Sequence, residues 1–171
     1  MLFRSHRLNV PVAVLIGEDD EPEPIPVIGR ISAGGTIDTS SEQIDAAQPL
    51  YEVELPFALP VDAVAFEISG ESMWPRYDSG DVIVCSRHGG DIKPLIGWEA
   101  AVATEDGARY LKRILEGTRR GHFNLESHNA QPIRDVRIVW ASEILTVIRA
   151  SQVRKITDHA RRRIVRALSA S

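Results

Sequence analysis

Short apolar runs with polar residues interleaved recur along the middle of the chain, and each is closed by glycine, proline, asparagine or aspartate. In order they are VIGRISAG, YEVELP, AVAFEISG, DVIVCS, EAAVATEDG, ARYLKRILEG, HFNLESHN and VRIVWASEILTVIRA, spread between Val27 and Ala150. Runs of this length with a period near two, bounded by turn residues, predict β-strands. A series of them without an intervening 3.6-residue pattern predicts a mostly β domain of sandwich or barrel type. The late run IVWASEILTVIRA is expected at a sheet edge.

The flanks break this pattern. LNVPVAVLIG at 8–17 is apolar and reads as a short helix stopped by Gly17, although Pro11 interrupts it. GEDDEPEPIP at 17–26 is acidic and carries three prolines, with too few apolar residues to offset the entropy of ordering, so it reads as extended linker. At the other end Val153, Ile156, Ala160, Ile164 and Leu168 recur at helical spacing among basic residues, which predicts an amphipathic helix over 151–169. The resulting division is a short leading segment 1–17, an acidic linker 18–32, a β domain 33–150 and a basic helical tail 151–171.

Composition narrows the function classes. A formal charge of −4 over 171 residues argues against bulk attraction to nucleic acid or membrane, so any partner must be argued from a site. Neither a secretory signal nor an apolar run of membrane-spanning length is present, and a cytoplasmic location is expected. The single cysteine, Cys85, lies in an apolar strand-like run and is expected to be a buried, inert thiol. The histidines show no ligand spacing, so neither a metal nor a cofactor is expected.

Candidate chemistry centres on GESMWPRYDSGD at 70–81, where Ser72 stands in a turn immediately after a strand-like run. A serine hydroxyl becomes a nucleophile at neutral pH only beside a base, either histidine or a lysine made less basic by burial. Of the three lysines, Lys93 falls in a loop and Lys155 in the basic tail, both read as solvated. Lys112 differs: a period of two puts Tyr110, Lys112 and Ile114 on one strand face, which draws the lysine inward. Holding it neutral at pH 7 costs roughly 4–5 kcal/mol, a cost retained only where function requires it. His88, His122 and His128 occupy turn contexts, and a Ser72–His128 pair is the rival arrangement, although no nucleophile-elbow pattern surrounds Ser72.

GESMWPRYDSGDVIV, followed by RYLKRI and then FNLESHNAQPI, resembles the self-cleaving serine–lysine peptidase domain of LexA, UmuD and the phage repressors of the lambda type. Gly70, Ser72, Met73, Pro75, Gly80, Asp81, Lys112, Leu125, Ser127, Asn129 and Pro132 occupy the places of that pattern. The resemblance implies a β-ribbon and barrel-type fold with Ser72 as nucleophile and Lys112 as general base. It also implies an oxyanion site at the backbone N–H groups of Ser72 and Met73, and cleavage of the chain's own Ala33–Gly34 bond. Further implications are a homodimer and, as in many members, activation by a RecA-type filament in a DNA-damage response. DNA contact would require a helix-turn-helix domain, of which residues 1–17 resemble only the exit. Two alternatives stand beside this reading: a repressor domain that dimerises without cleaving, and a signal-peptidase-like enzyme acting in trans, which would need a membrane anchor.

Overall fold

The computed structural model describes residues 23–32 and 49–156. The expected strands form in chain order as β1 (Ile25–Ser32), β2 (Tyr51–Val53), β3 (Ala63–Ser69), β4 (Val82–Ser86) and β5 (Glu99–Thr104). They continue as β6 (Arg109–Glu116), β7 (Phe123–Glu126), β8 (Ile133–Val136), β9 (Ile138–Ile148) and β10 (Lys155–Ile156). Hydrogen bonding orders them β10-β2-β1-β3-β4-β9-β5-β6-β7-β8. A further parallel bridge, Ser32 to Tyr110, joins β1 to β6 and closes the six strands β1, β3, β4, β9, β5 and β6 into a barrel. The mostly β architecture is therefore the one expected from the alternating runs.

Strand periodicity explains the burial. In β3, Val64, Phe66 and Ile68 point into the barrel, where Ile31, Met73, Ile83, Cys85 and Leu111 meet them. Ala63 and Ala65 point the other way, into a second apolar layer with Val27, Val53, Val82 and Val84. Both faces of β3 and β4 are thus covered, which is why these runs are almost continuously apolar in sequence. The third layer lies outside the barrel on β5 and β6, where Ala100, Val102, Tyr110, Ile114 and Leu125 pack beneath β7 and β8. Lys112 belongs to the same face of β6 as Tyr110 and Ile114 and is 1 % exposed.

Three expectations change. The boundary drawn between linker and β domain at residue 32 moves back to Ile25: the strand-like run from Val27 belongs to β1, whose Ile25, Val27, Ile28 and Ile31 are buried. The run ending in IVWASEILTVIRA is not a sheet edge. The ladder breaks at Arg137, between β8 and β9, and β9 then pairs with β5 through Ile138–Glu143 and with β4 through Ile144–Ile148, in the middle of the sheet. The start of the expected C-terminal helix instead forms a 3-10 turn at Ala150–Gln152 and the short strand β10, which pairs with β2. The remainder of that tail, the leading segment 1–17 and the Ala33–Gly34 pair lie outside the described residues. Among the described residues no helix is long and apolar enough to cross a membrane.

Candidate active site

The loop between β3 and β4 is built to present one residue. Gly70 and Gly80 adopt φ of 91° and 92°, a left-handed conformation open to glycine at little cost, and so reverse the chain at both ends of the loop. Between them Trp74 N–H donates to Glu71 O, and Arg76 and Tyr77 N–H both donate to Met73 O, forming a tight helical turn. Met73 is fully buried in the barrel core and anchors the turn, leaving its neighbour Ser72 facing β6 at 4 % exposure. Asp81 closes the loop: its buried carboxylate accepts from Ala150 N–H at 2.9 Å, from Asp78 N–H at 3.1 Å and from Arg149 Nη1 at 2.6 Å. The glycine–aspartate pair thereby ties the loop to the chain beyond β9.

Lys112 Nζ and Ser72 Oγ are joined by a hydrogen bond. The lysine is fully enclosed, and burial alone pushes its pKa down from the ordinary 10.5 to about 8, since no carboxylate opposes the loss of hydration. About a tenth of the side chain is then neutral at pH 7, the share rising above pH 8, and the neutral amine is the form that can act as a base. Among the described residues no oxygen accepts from the N–H groups of Ser72 or Met73. The segment after β7 braces the nucleophile from the other side: Asn129 N–H donates to Ser72 O at 2.7 Å and Asn129 Nδ2 to Glu71 O at 3.1 Å.

Glu99, at the start of β5, links the two loops, a contact the sequence did not reveal. Its Oε2 accepts from Tyr77 OH at 2.8 Å and pairs with Arg76 Nε at 2.7 Å, both on the nucleophile loop. Its Oε1 contacts His128 Nε2 at 2.5 Å, on the bracing segment. The partners are 22 to 29 residues from Glu99 in sequence, so no local spacing announces them. Replacing Glu99 with alanine is expected to cost about 1–2 kcal/mol in urea unfolding, because the half-buried Tyr77 hydroxyl loses its acceptor. Hydrogen exchange at the Asn129 amide should accelerate in the same variant.

Of the other sequence candidates, His128 turns to Glu99, and the rival Ser72–His128 pair is not formed. Lys93 is exposed, and Lys155 lies over the Tyr51 ring at 4.0 Å and beside Glu67 at 3.5 Å. Cys85 is buried in β4, and desolvation pushes its thiol pKa up to about 12. The described residues contain no group of three histidine, cysteine, aspartate or glutamate side chains placed to hold a metal ion. Residues 26–148 match a family model described as Peptidase S24-like. No curated protein matches the chain.

Proposed function

The chain belongs to the Peptidase S24-like family, which includes the LexA, UmuD and phage-repressor peptidase domains, and on that premise we propose that it cleaves its own Ala33–Gly34 bond. The observation that carries this reading is a fully buried lysine, hydrogen-bonded to a serine, with no anion beside it to favour the charged form. An ordinary strand lysine snorkels to water. The end of β1 adds support: Ser32 bridges in parallel to Tyr110, two residues before Lys112.

In the proposed reaction neutral Lys112 takes the Ser72 proton as Oγ bonds to the Ala33 carbonyl carbon, and the N–H groups of Ser72 and Met73 receive the oxyanion. The intermediate collapses with rupture of the Ala33–Gly34 bond, and the Lys112 ammonium gives its proton to the departing Gly34 amine. Water then attacks the ester, Lys112 accepts its proton, and Ser72 is released by proton return. Small residues suit the scissile position because glycine has no Cβ to collide with the enclosed dyad. Homodimerisation, triggering by a RecA-type filament and a role in transcription or DNA-damage regulation belong to the same reading and rest on family membership.

Intact mass of the chain incubated between pH 7 and pH 10 tests the reading. The expected products are residues 1–33 and 34–171, formed at a rate that rises through about pH 8 as Lys112 loses its proton. Dilution by about tenfold should leave the rate constant unchanged, as intramolecular attack requires. A chain that stays whole at every pH, and also with a RecA filament on single-stranded DNA, would support the non-cleaving dimerisation domain instead.

A further inference from the structure

Among the described residues one buried side-chain polar atom has no hydrogen-bond partner, Ser127 Oγ. Folded proteins leave few such atoms unsatisfied, so each one calls for an explanation. Its place is fixed from two sides. Glu126, immediately before it, pairs with Arg113 as the last register position of β6 and β7, and that register continued by one residue puts Ser127 opposite Lys112. Two residues later Asn129 donates its N–H to Ser72 O. Strand alternation gives the same direction: Leu125 pairs with Ile114 and both are buried in the outer layer, and Lys112 and, with β7 continued by one residue, Ser127 follow on that face.

We infer that Ser127 is a positioning residue whose hydroxyl accepts a hydrogen bond from the Lys112 ammonium once that lysine has taken the proton of Ser72. The inference rests on the reaction proposed above and supplies something it lacks. On proton transfer the amine becomes an ammonium with three N–H donors in a site without bulk water. One donor faces Ser72 and the leaving amine, and the others need acceptors. Ser127 Oγ is buried, free and on the right face.

The charged groups around Lys112 do not fill this role. Glu99 on β5 is engaged by Arg76, Tyr77 and His128. Glu126 on β7 pairs with Arg113, one position out of phase with Lys112. Glu71 on the nucleophile loop is exposed, and Tyr110 on the same strand brings only its own hydroxyl.

The chain has three lysines, so ¹³Cε-lysine NMR resolves Lys112 against the exposed Lys93 and Lys155. In an uncleavable Ser72→Ala background, adding Ser127→Ala is expected to lower the Lys112 inflection by about one pH unit, because the charged form loses an acceptor. Ser127→Thr should restore it. With Ser72 intact, Ser127→Ala should reduce the plateau rate of scission about tenfold and move its pH inflection downward. A merely structural role would do the opposite, since a loosened site admits water and returns the lysine toward its ordinary basicity. An unchanged or raised inflection in Ser127→Ala therefore overturns the inference, as does failure of Ser127→Thr to restore it. The NMR titration does not depend on scission: a downward shift in a chain that never cleaves upholds the Ser127 contact while removing the proposed function.

Discussion

Alanine at Ser72 or at Lys112 is expected to abolish scission of the Ala33–Gly34 bond, with the rate falling about 10⁴-fold or more and the double variant no slower than either single one. A nucleophile and its base act as a unit, so their losses do not add. In the proposed reaction Ser72→Ala removes the atom that forms the acyl bond, and Lys112→Ala leaves the serine hydroxyl, among the described residues, with no side-chain base hydrogen-bonded to it. The rival histidine cannot substitute, because His128 is held by Glu99. Lys112→Arg should be as inactive as alanine, since guanidinium stays protonated across the accessible range. The measurement is intact mass over time at about pH 9, where the wild-type lysine is mostly neutral. Scission persisting in Lys112→Ala at near the wild-type rate would remove the dyad from the mechanism.

The second large effect is on stability. Lys112 has a folded-state pKa of about 8 against an ordinary 10.5, so between those values the unfolded chain holds a proton that the folded chain has released. Stability therefore rises as pH climbs from about 8 to about 10.5, and below 8 the full penalty is present. The penalty is on the order of 2–3 kcal/mol at neutral pH. Methionine fills nearly the same volume without a charge to desolvate. Lys112→Met is thus expected to stabilise the chain by about 2 kcal/mol at pH 7 and to remove the alkaline rise. Paired urea unfolding curves at pH 7 and pH 10 decide it, and a destabilised Lys112→Met chain would mean that the lysine is solvated or paired in the fold. A site residue whose replacement stabilises the protein marks a place where function opposes folding.

Much of this was legible in the residues because the physics was local. Alternation in AVAFEISG and ARYLKRILEG set the faces of β3 and β6, and with them the burial of Lys112. Gly70 and Gly80 marked the ends of the nucleophile loop because both adopt positive φ. What escaped the sequence depends on partners remote along the chain. IVWASEILTVIRA reads as a strand in any position, and only the pairing of its two halves with β5 and β4 makes it central. The helical spacing of Val153 and Ile156 was outweighed by pairing of Lys155 and Ile156 with β2. Glu99 carried no signal, because its importance lies in Arg76, Tyr77 and His128 converging on it from two loops.

The two residues joined at the centre of the site stand 40 positions apart, and the brace at Asn129 and the long strand β9 lie further along the chain still. A chain emerging from the ribosome therefore exposes its Ala33–Gly34 pair early, when neither the serine nor the lysine has been made. Even after both are synthesised, the lysine keeps its ordinary charge until β7 and the nucleophile loop pack over the outer face of β6 and expel water. Barrel topologies built from distant pairings complete this closure late. If the proposed scission is the chain's reaction, the dyad that performs it is assembled only by folding, and the target bond passes through synthesis before a competent base exists.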